Sequence, residues 1–217
     1  RRRHTRYGTV TGVQTCALPI WNPNVGWYVI FNELFCEPIL INLDRRTDRL
    51  EQFDKQAKEL NIDYTRFAGI PSVDPITGCT LSHIAALSMC RQQRAFVFED
   101  DATFVEDFNA QFARAMENLP DDWDMIYLGA HLLQKQPVND YWVRSLECSS
   151  THAYAVRSEV IPRLIDRAKI LDVHIDVAYS KLHKDLKVYA ARPTLVYQGA
   201  SYSDLIGGEV DYKYLYF

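Results

Sequence analysis

Short apolar runs alternate with amphipathic segments from residue 38 onward, and this alternation constrains the fold more than any other feature. The run PILINL (38–43) is typical of a buried strand. In the segment that follows it, apolar side chains recur at the three- and four-residue spacing of a helix. The pattern predicts further strands at 64–69, 95–98, 124–129, 151–156, 187–191 and 194–197, and helices at 47–61, 80–93, 108–119, 158–171 and 175–183. Such a chain is expected to form a three-layer α/β domain with a mostly parallel central sheet.

Two of the predicted helices carry candidate start signals. Asp48 with Glu51 could cap the helix at 47–61, and Thr80 is expected to open the helix at 80–93. In sheets of this kind, ligands bind at the carboxyl ends of the strands. The residues that directly follow each apolar run are therefore the first candidates for ligand binding or catalysis.

Composition narrows the class of protein. Lys and Arg number 24 and Asp and Glu number 28, which gives a formal net charge of −4. This balance argues against a protein that binds nucleic acid by surrounding its phosphates. No apolar run approaches the roughly 20 residues of a membrane span, so no integral membrane segment is expected. The five cysteines are odd in number and lack paired short spacing. They favour a reducing compartment, and we expect a cytoplasmic protein or one peripheral at the inner membrane.

The first twenty residues lack the pattern of a folded segment. They carry four arginines, no acidic residue and no helical or strand period. They resemble translated sequencing-adapter DNA fused to an open reading frame, and the alternative is a basic targeting arm. We therefore treat residues 1–37 as an uncertain or artefactual segment. A single domain is expected over residues 38–217.

An acidic cluster follows the predicted strand at 95–98. In FEDDATF (98–104), Glu99 and Asp101 share one side of an extended chain. Two carboxylates in this arrangement could hold Mn²⁺ or Mg²⁺, since these cations prefer oxygen ligands. A metal held there could neutralise a phosphate leaving group. The alternative is a solvated acidic turn, with Asp107 capping the next helix.

Five short motifs stand in an order that resembles glycosyltransferase family 25. They are INLDRRTDR (41–49), GCTLSH (78–83), FEDDATF (98–104), DMIYLG (124–129) and THAYAV (151–156). That family includes bacterial lipooligosaccharide galactosyltransferases and procollagen galactosyltransferases. The resemblance implies a GT-A-like nucleotide-sugar-binding fold, a UDP-sugar donor and inversion at the anomeric carbon. It places the family's Asp-x-Asp-type motif on Glu99, Asp100 and Asp101, with glutamate in the first place.

The resemblance assigns donor-site roles to several further residues. Asn42 and Leu43 would approach the uridine through their backbone, and Arg45 and Arg49 could meet the diphosphate. Salt bridges on a helix surface are the alternative for these arginines. Gly78, Ser82 and His83 are expected to open a helix whose N-terminus favours an anion, with Asp100 also on the donor side. His83 could equally be a core histidine with its hydrogen bonds satisfied.

An inverting transfer also needs a base for the acceptor hydroxyl. Asp176 in HIDVAY is the first candidate, and its alternative is a plain helix cap. Asp204 in QGASYSD is the second candidate. The sequence thus predicts a metal-assisted galactosyltransferase that uses a glycan, lipid-linked glycan or glycoprotein acceptor. The competing interpretation is a non-catalytic sugar- or protein-binding module of the same fold. A metal-dependent phosphoesterase is a third class, but it would be expected to carry a richer His and Asp ligand set.

Overall fold

The computed structural model describes residues 30–35, 37–203 and 207–211. Their elements, in chain order, are α1 (Ile30–Leu34), β1 (Ile39–Asn42), α2 (Thr47–Leu60), β2 (Thr65–Ala68), α3 (Pro75–Met89), β3 (Arg94–Glu99), β4 (Ala102–Phe104), α4 (Phe108–Glu117), β5 (Met125–Tyr127), β6 (His131–Pro137), β7 (Trp142–Ser149), β8 (Ala153–Arg157), α5 (Ile161–Ala168), α6 (Ile175–Ser180), β9 (Val188–Ala191), β10 (Val196–Gln198), β11 (Ser201–Ser203) and β12 (Gly208–Val210).

Eight of these strands form one sheet in the order β2-β1-β3-β8-β5-β9-β7-β6. β1 pairs in parallel with β2 and β3, and β5 pairs in parallel with β9. β8 is antiparallel to both β3 and β5, and β7 is antiparallel to both β9 and β6. Six of the eight strands therefore share one direction, and only β7 and β8 are reversed. The predicted α/β class with a mostly parallel sheet is confirmed.

The sheet separates two apolar cores because successive strand residues point to opposite faces. In β3, Phe96 and Phe98 join the core that also contains α1, α2 and α4, whereas Ala95 and Val97 join the core that contains α3 and α5. Tyr179 of α6 packs in the second core. Helices thus cover both faces of the sheet, as a three-layer architecture requires. Phe31 of α1 is buried among Phe96, Phe98 and Phe112, so residues 30–35 pack with this domain.

The capping of two helices differs from the predictions. α3 begins at Pro75 rather than at Thr80, with Asp74 as its N-cap. The Asp74 carboxylate accepts hydrogen bonds from the amides of Ile76 (3.2 Å) and Thr77 (3.1 Å). Asp followed by Pro at the first helical position is a strong start signal, and it competes successfully with Thr80. The N-cap of α2 is Arg46, which forms no side-chain cap, and Asp48 lies inside the first turn, where it pairs with Arg46 at 2.9 Å.

Several strands were not predicted. β6 and β7 form a hairpin at one edge of the large sheet, and β4 pairs with β10 in a separate two-stranded sheet. The predicted strand at 194–197 therefore lies outside the main sheet, whereas the one at 187–191 lies within it, between β5 and β7. Within the described ranges, no helix combines the length and the apolar character that crossing a membrane requires.

Candidate active site

A cavity of about 370 Å³ lies where β1, β2 and β3 end. It is the position that the topology of an open α/β sheet assigns to a ligand. Most of the predicted site residues line it: Leu43, Arg45, Arg49, Gly78, Ser82, His83, Glu99, Asp100, Asp101 and Asp176. The sequence motifs therefore converge on one place although they are up to 135 positions apart, from 41 to 176.

Glu99 ends β3 and is held by two hydrogen-bond partners from other elements. The hydroxyl of Thr151 donates to Glu99 Oε1 at 2.7 Å, and His83 Nε2 lies 3.2 Å from the same oxygen. Burial would raise the pKa of this carboxyl, but the hydrogen bonds from His83 and Thr151 outweigh burial and hold it at about 2. Glu99 is therefore a fixed anion at the floor of the cavity.

Asp100 is paired with a cation and an amide. Arg49 NH1 donates to Asp100 Oδ1 at 2.9 Å, and Asn42 Nδ2 donates to Asp100 Oδ2 at 2.7 Å. Asn42 is itself buried and receives a hydrogen bond from Arg66 Nε at 2.9 Å. Burial raises the pKa of Asp100, while Arg49 and Asn42 act against that shift. The Asn42 side chain therefore serves Asp100, a contact that the predicted backbone role did not include.

Asp101 differs from its two neighbours because one of its oxygens is buried and accepts no hydrogen bond from the residues that the structure describes. That oxygen is Oδ1. Oδ2 lies 3.5 Å from Arg49 NH1 and 3.4 Å from Gln198 Nε2. Burial and the adjacent charge of Glu99 raise the pKa of Asp101 to about 7. A cation placed against Oδ1 would satisfy this oxygen and remove the electrostatic cost of the clustered carboxylates.

Arg49 supplies positive charge to the same wall. Its side chain is 12% exposed and contacts both Asp100 and Asp101. These charges raise the pKa of the guanidinium even though burial acts in the opposite direction. Arg45 is exposed and also lines the cavity, whereas Arg46, on the same turn, pairs with Asp48. Arg49 is thus the more deeply placed of the two predicted diphosphate contacts.

Asp176 lies in the first turn of α6 and faces the cavity. The amide of Ser150 donates to its Oδ2 at 3.0 Å, and the amide of Val177 donates to its Oδ1 at 2.7 Å. The N-cap of α6 is His174, so Asp176 is not the plain helix cap of the alternative interpretation. Asp204, the second base candidate, lies outside the described residues.

The residues of GCTLSH are packed into the wall of the cavity. A Cβ at Gly78 would lie 2.8 Å from the carbonyl oxygen of Ile70, so this position requires glycine where the loop approaches α3. The hydroxyl of Ser82 accepts from the Ile70 amide at 2.8 Å and donates to the Gly78 carbonyl at 2.7 Å. His83 Nδ1 lies 3.1 Å from the hydroxyl of Tyr154. Because α3 begins at Pro75, these residues do not form its N-terminus, and Asp74 already occupies the free amides there.

Sequence reasoning missed three contributors to the site: Ser150, Thr151 and Gln198. Thr151 stands inside the motif THAYAV, yet nothing local indicates that its hydroxyl reaches Glu99 across 52 positions. Ser150 contributes its backbone amide, and because nearly every residue type carries this group, the sequence does not indicate its role. Gln198 follows an ordinary apolar run. Only the folded chain brings these groups to the carboxylates.

The donor set is sparse for a metal held by protein alone. Among the described residues, no group of three or more His, Cys, Asp or Glu side chains could hold a metal ion. The unsatisfied Oδ1 of Asp101 nonetheless fits one coordination position of a hard cation, and a bound phosphate could supply others. The residues therefore fit a metal shared with a ligand, in which Asp101 provides a protein oxygen.

The fold is an α/β domain whose cavity, at the strand ends, contains a largely buried arginine and three clustered carboxylates. Residues 73–175 match the family model of glycosyltransferase family 25 (LPS biosynthesis protein). The match confirms the resemblance predicted from the sequence and supports a glycosyltransferase as the enzyme class. It contains four of the five motifs, while INLDRRTDR and Asp176 lie outside it.

Solved structures with a partly similar fold share little sequence with the chain. A197 from STIV is 16% identical, with a TM-score of 0.47, over 80% of this chain and 93% of that one. A UDP-glucose pyrophosphorylase complexed with UDP-glucose is 11% identical, with a TM-score of 0.43, over 76% of each chain. The 4-diphosphocytidyl-2C-methyl-D-erythritolsynthase from Anaerococcus prevotii DSM 20548 is 10% identical, with a TM-score of 0.45, over 78% and 75%. No curated protein matches the sequence significantly.

Proposed function

We propose that the chain transfers a hexose, with galactose as the first candidate, from a UDP-sugar to a hydroxyl of a glycan, lipid-linked glycan or glycoprotein acceptor. The reaction inverts the anomeric carbon, and the domain is of the GT-A type. One observation carries the proposal: a single cavity brings together Arg49, the acidic triplet and Asp176. A diphosphate leaving group requires positive charge, which Arg49 and a cation bound to the carboxylates would supply. An acceptor hydroxyl requires a base, which is the role proposed for Asp176.

The donor end of the cavity is the wall formed by Arg49 and the carboxylates. A guanidinium binds phosphate oxygens through paired hydrogen bonds, and Arg49 presents its guanidinium from a largely buried position. The carboxylates beside it would repel a diphosphate unless a cation lies between them. Mn²⁺ or Mg²⁺ at Asp101, with Glu99 close by, would meet that requirement. When bound, such a metal would neutralise the charge that develops on the departing nucleoside diphosphate.

Asp176 is the proposed base on the acceptor side. Its carboxylate would take the proton of the acceptor hydroxyl as the hydroxyl oxygen bonds to the anomeric carbon and the bond to UDP breaks. Two amide donors fix the orientation of this carboxylate, and the side chain faces the same cavity as the donor wall. Asp204 remains the alternative base.

The test begins with thermal shift against UDP-galactose, UDP-glucose and UDP-N-acetylglucosamine, each with and without Mn²⁺. A donor that binds the folded state raises the melting temperature by mass action. UDP release from the donor that binds is then measured, with Asp101→Asn as the inactive variant and the exposed Asp166→Asn as its matched control. CMP- and GDP-sugars test the nucleotide. Binding without UDP release would favour the non-catalytic module, and binding of none of the UDP-sugars would refute the donor class.

A further inference from the structure

A three-residue connection joins β7 to β8 and contacts both proposed catalytic regions. β7 ends at Ser149 and β8 begins at Ala153, although β5 and β9 lie between these two strands in the sheet. The connection, Ser150 to His152, borders the cavity through Ser150 and Thr151. Neither residue belongs to the groups already assigned to the donor or to the acceptor.

Each of the two cavity residues is bonded to a different carboxylate. The hydroxyl of Thr151, which is 4% exposed, donates to Glu99 Oε1 at 2.7 Å. The amide of Ser150 donates to Asp176 Oδ2 at 3.0 Å. Consecutive Cα atoms are about 3.8 Å apart across a trans peptide, so one peptide unit links the two anchor points. Glu99 stands on β3 and Asp176 on α6, and this short segment bonds directly to both carboxylates.

The backbone of Ser150 is held in an unusual conformation. Its φ angle is +85°, in the left-handed region that residues with a side chain rarely adopt. Residues kept in such conformations occur where the surrounding contacts dictate them, often at functional sites. Here the bond from the Ser150 amide to Asp176 and the bond from Thr151 to Glu99 act on either side of the strained residue.

We propose that Ser150 and Thr151 are positioning residues that hold the base Asp176 at a fixed distance from the donor-side carboxylate Glu99. The inference rests on the proposed function, because it assumes that Asp176 acts on the acceptor. The Ser150 amide orients the Asp176 carboxylate. The Thr151 hydroxyl bonds the same segment to Glu99. Loss of that hydrogen bond would let the segment move and would change the position of the Asp176 carboxylate.

The first measurement is hydrogen exchange at the Ser150 amide, which needs no turnover. In the wild type, the bond to Asp176 should slow this exchange. Asp176→Ala removes the acceptor, and Thr151→Val removes only the hydroxyl of an isosteric side chain. Both variants are expected to accelerate Ser150 exchange about tenfold or more, and Thr151→Ser, which keeps the hydroxyl, should restore protection. Unchanged Ser150 exchange in a folded Thr151→Val protein would overturn the proposal.

The second measurement is a double-mutant cycle on UDP release from UDP-galactose, with water as acceptor and Mn²⁺ present. Thr151→Val should lower kcat about tenfold in the wild-type background and leave the Kd for UDP within about threefold. It should have little further effect in the Asp176→Asn background, because the residue it positions is already inactive. Ser150→Val, a β-branched residue at positive φ, should lower kcat more than Ser150→Gly. Equal losses from Thr151→Val in both backgrounds would overturn the proposal.

The two measurements separate the possible failures. If no UDP-sugar is turned over but Thr151→Val accelerates exchange of the Ser150 amide, the proposed function fails. The structural coupling of Thr151 to Asp176 through Ser150 then still holds. If turnover is normal and this coupling is absent, only the positioning role fails. A parallel loss of UDP affinity in Thr151→Val would assign Thr151 to the donor site and refute its action through Asp176.

Discussion

Replacing Asp101 with asparagine should stabilise the metal-free protein while it removes function. Asp101 is largely buried, and its Oδ1 accepts no hydrogen bond from the described residues. Burial and the neighbouring charge of Glu99 raise its pKa from 3.8 to about 7. When no cation is bound, ionised Asp101 therefore lowers the free energy of unfolding. Asparagine has nearly the same shape and carries no charge.

The size of the gain follows from linkage. An acid whose pKa is higher in the folded state binds more protons there, so its contribution to stability is present below pH 3.8 and lost as pH rises to 7. Each pH unit within that window corresponds to about 1.4 kcal/mol. Between pH 5 and 7 the wild type should thus lose about 3 kcal/mol that Asp101→Asn does not lose. Above pH 7 the difference should be constant.

The assay is urea unfolding in EDTA at pH 5 and pH 8, with the free energies of unfolding compared at each pH. Asp166→Asn is the control, because Asp166 is exposed and its ion pair with Lys169 at 3.7 Å should contribute little. Asp101→Asn should gain about 3 kcal/mol more at pH 8 than at pH 5, and it should no longer gain stability from Mn²⁺ with UDP. The reasoning fails if Asp101→Asn shows the same difference from the wild type at both pH values.

Three further predictions test the base, the packing and a buried histidine. Asp176→Asn should lower the transfer rate by about 10²- to 10⁴-fold and keep UDP affinity, as kinetics and titration would show; normal transfer would leave Asp204 as the better candidate. Gly129→Ala should cost about 3 kcal/mol or more in urea unfolding, since its Cβ would lie 1.7 Å from the Val196 carbonyl oxygen; an unchanged midpoint would contradict this contact. Burial lowers the pKa of His183 from 6.5 to about 4. The contribution of His183 to the free energy of unfolding is therefore complete above pH 6.5 and falls by about 3 kcal/mol as pH drops to 4. The free energy of unfolding of His183→Gln should not show this dependence on pH.

Most elements that carry the two cores could be predicted because their burial pattern is local, whereas α1 and β7, which contribute Phe31 and Trp142, were not predicted. In the segment 95–98 every residue is buried, and α2 buries Phe53 and Ala57 at a helical spacing. The edge strand β6 could not be found in this way, since five of its seven residues are exposed and its sequence HLLQKQP has no strand period. Strand direction is also not local. THAYAV has the same pattern whether β8 runs parallel or antiparallel to β3.

The position of the acidic triplet at the ligand cavity could be predicted, because three consecutive carboxylates directly after a buried strand are costly unless a cation or a ligand pairs with them. The different hydrogen-bond partners of its three carboxylates could not be predicted, because those partners lie far away along the chain. Asp100 forms an ion pair with Arg49 and accepts a hydrogen bond from Asn42, whereas Glu99 accepts a hydrogen bond from Thr151 and contacts His83. Only Asp101 retains a buried oxygen without a described partner. A symmetrical pair of ligands, which the i and i+2 spacing suggested, thus becomes an unequal one.

The start of α3 changes how an anion would be held. Had the helix begun at Thr80, its free amides would have offered a phosphate site beside Ser82. The helix begins five residues earlier at Pro75, and the amides of its first turn are taken by the Asp74 carboxylate. Positive charge in the cavity must then come from side chains, and Arg49 is the most deeply placed of them. Arg49→Lys would keep the charge and lose the paired geometry of the guanidinium. A diphosphate held chiefly by Arg49 should therefore bind this variant about tenfold more weakly, whereas a site dominated by backbone amides would not distinguish the two residues.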